Sequence, residues 1–348
     1  MRKFMTLLIA YVLLSCNQSE KIRPTIIAFG SCGHQDIPQP VLSLAADRKP
    51  DAFIFLGDNI YGDTKSMDTL RLKYQKLADR PEFKKLKAAT TLYATWDDHD
   101  YGWNDAGRHY AFKEESKKIF LDFFGDQGDS TIHLHKGIYH TVYLNSGGKK
   151  IQIILPDLRT FRDKLLPYNG TRKDDARFTY ELDYSPYTTT DSTMMGEDQW
   201  RWMEDQLKVP ADLRIFASST QFGITHNGYE AWANFPHEQN RLIDLIRKTK
   251  AQSVFFISGD VHYAEVSKLD VPDLYPLYDV TASGITSTWG FATPNDNRID
   301  GPVMENHFGL LSIDWNHSDP KITFEIIDVE NKTRIHREIM LSELSLKK

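Results

Sequence analysis

Three times along this chain an apolar run stops abruptly on side chains that can bind a metal. The stretches are Phe55-Leu56-Gly57-Asp58-Asn59-Ile60-Tyr61, Thr95-Trp96-Asp97-Asp98-His99-Asp100 and Ser258-Gly259-Asp260-Val261-His262. Short runs rich in Ile, Val, Phe and Tyr read as strands, and several here are too continuously apolar to keep one face wet. Asp at the end of a buried strand needs a partner. The pattern therefore suggests one polynuclear metal site on the edge of a buried sheet, with phosphate-ester cleavage as its chemistry.

Further apolar segments, at 25–29, 52–56, 91–96, 139–144, 151–155, 213–217, 253–257, 277–281, 308–313 and 322–327, predict strands along the whole chain. Helical spacing appears between them. Leu70, Tyr74 and Leu77 share one side of 67–78, and Phe112, Ile119, Phe120 and Phe123 share one side of 108–124. A third helix opens at Gly196-Glu197-Asp198-Gln199, and Pro236 begins a fourth running to about residue 250. The last strands follow one another without helices. This order predicts an α+β fold, two packed β-sheets flanked by helices, rather than one doubly wound sheet. Residues 158–195 lack periodicity and are too long for a routine connection, which predicts a loop over the active site.

Residues 1–15 read as a leader. Arg2 and Lys3 precede a nine-residue apolar run too short to span a bilayer, and Leu13-Leu14-Ser15-Cys16 resembles a bacterial lipobox. The expectation is a lipid-anchored exported protein, periplasmic or at the cell surface, with residues 16–23 as a tether and 24–348 as one catalytic domain. An ordinary signal peptide with Cys16 there by chance is the plainer alternative. Of the two cysteines, only Cys32 lies in the body, so no intramolecular disulfide is expected there. The formal net charge of −6 argues against a nucleic-acid partner, and no obligate protein partner is inferred.

Each candidate ligand has a metal reading and a bland one. Asp58 can bridge two cations, or cap a helix. Tyr61 can return to the same cation as phenolate, which favours Fe³⁺, or be a turn aromatic. Asp260 and His262 share one face of an extended segment and can meet one metal pair, or pair with each other. The crowded carboxylates Asp97, Asp98 and Asp100 around His99 call for a cation to neutralise them, unless they form a solvated loop. Cys32 is either a metal ligand or core.

With Phe29-Gly30-Ser31-Cys32 and Leu155-Pro156-Asp157-Leu158-Arg159, these motifs run in the order of the alkaline phosphatase D family, which the chain resembles over roughly residues 25–309. That family is a branch of the calcineurin-like metallophosphoesterases. The resemblance implies a four-layer αββα sandwich and hydrolysis of phosphomonoesters and phosphodiesters outside the cytoplasm, with Fe³⁺ and Ca²⁺. It implies Cys32, Asp58, Tyr61 and His262 at the ferric ion, Asp58 bridging to calcium, and Asp98 and Asp260 on the calcium. His99 then faces the leaving group, and Arg159 grips the phosphoryl oxygens. Asp157 is either a further calcium ligand or a support for Arg159. Mn²⁺, Zn²⁺ and Mg²⁺ are alternative occupants. The chain departs from the family in two ways. With Cys16 expected as the first mature residue, no β-sandwich domain like that of larger members is expected before Cys32, and Asp157-Leu158-Arg159 stands for the family's Asp-Thr-Arg.

The expected reaction is in-line attack by a metal-activated hydroxide on a phosphate mono- or diester. A phosphodiesterase or phospholipase-like hydrolase using the same centre is the alternative enzyme, and a lipid-anchored metal-containing binding protein the alternative outside catalysis. Ser219, Gln221, His226, Asn227, Tyr229 and Trp232 are candidates for the rim. The chain has no Walker pattern and no convincing serine-hydrolase elbow.

Overall fold

The computed structural model describes residues 22–171 and 177–346; the expected leader, Cys16 and most of the expected tether lie outside them. In chain order the strands are β1 (Thr25–Gly30), β2 (Ala52–Leu56), β3 (Thr91–Thr95), β4 (His140–Ser146), β5 (Lys149–Leu155), β6 (Leu166–Pro167), β7 (Tyr184–Ser185) and β8 (Leu213–Ser218). They continue with β9 (Val254–Ser258), β10 (Ala264–Leu269), β11 (Leu277–Ala282), β12 (Arg298–Val303), β13 (His307–Asp314), β14 (Lys321–Asp328) and β15 (Thr333–Met340). One sheet has the order β15-β14-β13-β1-β2-β3, the other β12-β10-β11-β9-β8-β5-β4, and β6 pairs with β7.

The period-2 alternation of the strands sets the layers. In β2, Ile54 and Leu56 point into the core between the sheets with Ile153, Ile215 and Phe324. Phe53 and Phe55 point the other way, into a second core. There they meet α1 (Pro40–Asp47), α2 (Met67–Asp79), α3 (Pro81–Ala89) and, beyond the short α4 (Asp98–Tyr101), α5 (Lys113–Phe124). The sheets touch where the Phe255 and Phe324 rings lie 5.5 Å apart. Trp200, Met203, Leu242 and Ile246 from α6 (Gly196–Lys208) and α7 (Pro236–Thr249) close the far side. The result is the expected four-layer αββα sandwich.

Strand direction decides where chemistry can sit. β1, β2 and β3 run parallel in one sheet, and β5, β8, β9 and β11 run parallel in the other. Their carboxyl ends meet: Ser31 N–H donates to Ala282 O at 3.1 Å, joining the end of β1 to the end of β11. Open α/β sheets bind ligands at such ends. Among the described residues no helix is long and apolar enough to cross a membrane.

Candidate metal centre

Every candidate ligand follows the carboxyl end of a strand: Cys32 after β1, Asp58 and Tyr61 after β2, Asp98 after β3, and Asp260 and His262 after β9. Glycine lets these ends crowd together. Gly57 has φ +98°, and a Cβ there would lie 2.5 Å from Asp97 Cβ; a Cβ on Gly259 would lie 2.5 Å from Ser31 Oγ. Four of the six candidates, Cys32, Asp58, Asp260 and His262, adopt positive φ of 60°, 49°, 78° and 57°. Left-handed backbone costs a non-glycine residue about 1–3 kcal/mol and concentrates at functional sites.

The side chains converge. Cys32 Sγ lies 3.5 Å from Asp58 Oδ2, and Tyr61 Oη lies 3.3 Å from His262 Nε2. Donor atoms of Cys32, Asp58 and His262 fall within 4.8 Å of one another, as do those of Asp58, Asp98 and His99, and those of Asp98, Asp105 and Glu230. Asp58 thus belongs to two adjoining clusters, and Asp98 links the second to a third. Asp58, Asp98, His99, Asp260 and His262 line one cavity of about 220 Å³, together with Asp105, Tyr229, Glu230 and Trp289.

The electrostatics show which side chains can serve as ligands. Burial, then Cys32 and the neighbouring carboxylates, push Asp58 well above the usual carboxylate range. Burial, Asp97 and Glu230 do the same to Asp260. Burial lifts Asp105 to about 8 and the Cys32 thiol to about 12. Burial opposes ionisation of Asp98 too, but Arg159, His99 and the Asp105 N–H overcome it and hold Asp98 at about 2. Burial also keeps His262 neutral, at about 4, which leaves an imidazole lone pair for a ligand. Asp58 Oδ1 is buried and has no hydrogen-bond partner among the described residues. A buried carboxylate oxygen without a donor fits a cation. The donor set fits as well: thiol, imidazole and phenol gather on one side of Asp58, suited to a transition metal, and carboxylates on the other, suited to a hard cation.

His99 faces the cavity with its ring fixed. Its Nδ1 lies 2.7 Å from Asp63 Oδ1, which leaves Nε2 for the cavity. Burial disfavours the charged ring, yet the Asp63 hydrogen bond and the charges of Asp98, Asp63 and Asp97 raise it to about 9.

Arg159 was expected to grip the phosphoryl oxygens, and in the structure it lies among carboxylates. Its guanidinium is fully buried behind the cavity wall, where Asp97 accepts from Nε and Glu230 accepts from Nη1 at 2.7 Å. A guanidinium held in this way braces the loops that carry Asp97 and Glu230. Asp157 does not reach that guanidinium. It accepts from the backbone N–H groups of Ile138, Arg159 and Thr160 at 2.9 Å each and so fixes the turn carrying Arg159. Asp100 likewise ties loop to helix, accepting from Asn59 N–H at 3.1 Å and Tyr74 O–H at 3.0 Å.

Of the rim candidates, Tyr229 lines the cavity. Ser219 instead supports Asp97 at 2.7 Å, Gln221 bonds Glu265 at 2.9 Å, and Trp232 is buried with Nε1 on Ser218. Asn227 is buried, and the His226 ring lies 6.1 Å from Phe178. From the long 158–195 segment, Asp183 and Tyr184 reach the cavity, which places part of that loop at the site.

Sequence reading missed Asp63, Asp105, Arg162 and Glu230. Glu230 was findable, because an arginine that follows the buried β5 strand requires carboxylates, and Asp97 alone leaves half the fork unpaired. Arg162 takes the same glutamate, Nε to Oε1 at 3.1 Å. Asp105 and Asp63 sit in loops with no periodic signal.

Comparison with known proteins agrees with the architecture. The solved structure of PhoD superposes with a TM-score of 0.70 at 16% identity, covering 94% of this chain and 72% of that one. A dimetal phosphatase from Danio rerio gives 0.54 at 11% identity, covering 93% and 100%. These likenesses define the fold as that of metallophosphoesterases. The PhoD-like phosphatase family model matches residues 27–298, and the chain belongs to that family. Alkaline phosphatase D of Bacillus subtilis (strain 168) is 22% identical over 265 residues, 65% of this chain and 43% of that protein, so the match spans less than half of the relative's length.

Proposed function

We propose that this protein hydrolyses phosphate mono- or diesters with two metal ions held at the ends of its central strands. The observation that carries the reading is the shared carboxylate: Asp58 joins the Cys32–His262 cluster to the Asp98–His99 cluster, with one oxygen left without a donor. Cys32, Asp58, Tyr61 and His262 hold one ion, for which Fe³⁺ suits the thiolate and phenolate. Asp58, Asp98 and Asp260 hold the other, for which Ca²⁺ suits the carboxylates, with Mn²⁺, Zn²⁺ or Mg²⁺ as substitutes. When bound, such a pair supplies Lewis acidity toward the phosphoryl oxygens and a nucleophile at neutral pH.

The chain's own residues do the rest. Asp63 holds the His99 ring so that Nε2 can deliver a proton to the departing alkoxide. Arg159 and Arg162 draw Asp97, Asp105 and Glu230 into fixed positions around the carboxylates. The backbone strain at Asp58 and Asp260 preorganises the shell. The lipobox-like sequence ending at Cys16 supports export and lipid anchoring; Cys16→Ala should release the protein from membranes, and a mature chain without lipid on Cys16 would refute it.

The test is turnover of aryl and bis-aryl phosphates by protein purified without added metals, with metal content measured alongside. Asp58→Ala should lose bound metal and at least about a hundredfold in rate on every ester. Wild-type protein that carries metal but hydrolyses none of them would contradict the proposal.

A further inference from the structure

Two aromatic rings line the cavity beside the clustered carboxylates and histidines. Trp289 and Tyr229 line it, their rings 5.0 Å apart, and the Trp289 ring lies 5.2 Å from that of His262. Each belongs to a parallel pair that extends outward. Trp289 stacks on Phe291 at 5.3 Å with 12° between planes, and Tyr229 stacks on Tyr180 at 5.0 Å with 13°. The Tyr180 and Phe291 rings meet at 5.1 Å, so four rings from three separate loops form one continuous wall. Phe291 at its outer end remains 38% exposed.

Trp289 N–H also donates to His262 O at 2.9 Å, so the inner end of the wall is fixed to the metal centre, while its outer end, an exposed phenylalanine at the cavity mouth, leaves apolar surface in water. The wall lies where the alcohol half of an ester would extend once its phosphate occupied the carboxylate end. Resting on the phosphoester-hydrolase reading, we propose that Trp289 and Tyr229 form the leaving-group subsite and select esters whose alcohol carries a planar aromatic ring, aryl or nucleobase. The rings are stacked within each pair, while Trp289 and Tyr229, the two that line the cavity, are tilted 50° to each other. Their faces offer surface on which a further flat ring can stack. Among the described residues no Lys or Arg lines the cavity, whereas Asp183 does. That disfavours alcohols bearing further phosphates and single-stranded nucleic acid, which require basic grooves.

Phosphonates test this without the confounding reactivity of aryl leaving groups. Titration calorimetry on the metal-loaded protein would compare benzylphosphonate, a nucleoside phosphonate, cyclohexylmethylphosphonate and a choline phosphonate. At least one of the two planar ligands should bind about tenfold tighter than cyclohexylmethylphosphonate and quench tryptophan fluorescence. Which of them does so separates an aryl from a nucleobase substrate. Trp289→Ala should erase the preference, and Trp289→Phe should restore most of it. Planar and saturated ligands binding equally, or the choline ligand binding tightest, would overturn the subsite while leaving phosphoester hydrolysis intact. Failure of all four ligands to bind, with no ester hydrolysed, would remove the underlying reading and the subsite together.

Discussion

At the scale of single residues, the proposed reaction divides holding a metal from moving a proton between two neighbours. Asp98 is buried and belongs to two ligand clusters, whereas His99 is only partly buried and spends one nitrogen on Asp63. Asp98→Ala should therefore lower metal content and slow all esters alike. His99→Ala should retain the metals and slow alkyl esters by about 10²–10⁴-fold, with a smaller loss on aryl esters, whose leaving oxides need less help. Rates across a leaving-group series, with metal content measured in parallel, check this; equal losses along the series would remove His99 as the acid. These neighbours were legible in the sequence because a cluster of three carboxylates around one histidine closes an apolar strand. Glu230 and Asp105 were not, since a ligand brought in from a loop carries no periodicity. The partners of Arg159 were hidden for a related reason. Its position after β5 is visible in the chain, but the carboxylates that occupy its fork come from elsewhere in the fold.

At the scale of elements, the site depends on strand ends approaching more closely than side chains allow. Gly57 is the critical point, with its φ of +98° and the Asp97 backbone N 2.9 Å from any added Cβ. Gly57→Ala should destabilise the protein by about 2–4 kcal/mol, from a left-handed backbone plus overpacking, and should lower metal occupancy as well. Denaturant unfolding and metal analysis read the two effects; an unaltered unfolding midpoint with full metal content would show that the ends have room to spare. Strands buried on both faces, such as Ala52–Leu56, were legible with their boundaries intact. β15 was not, because Thr333–Met340 is an edge strand that buries Ile335 and Ile339 and sets Arg334, His336 and Glu338 outward. Such alternation of charge and isoleucine hides a strand inside an apparently polar tail. β10 and β12 were passed over too, their polar residues being paired within the sheet, as Glu265 is with Arg298.

At the scale of the whole molecule, the two-sheet architecture was legible from the order of strands and helices, while acid sensitivity emerges only from packing. Burial lowers both His140 and His307 to about 4, and each has one ring nitrogen without a partner among the described residues. The unfolded chain, with histidine near 6.5, binds protons that the folded chain refuses. Stability should therefore be undiminished above about pH 6.5 and fall as pH drops toward 4, by up to about 3 kcal/mol for each group. Thermal melts across that window should show the fall, and His307→Asn should make it shallower; parallel curves would assign the acid loss to other groups. The central claim is that Asp58 bridges two cations, and anomalous diffraction from crystals of the metal-loaded protein tests it most directly. The account expects two peaks about 3.5–4 Å apart, with Asp58 touching both, Cys32 and His262 on one, and Asp98 and Asp260 on the other. A single peak, or two peaks with Asp58 touching only one, would contradict it.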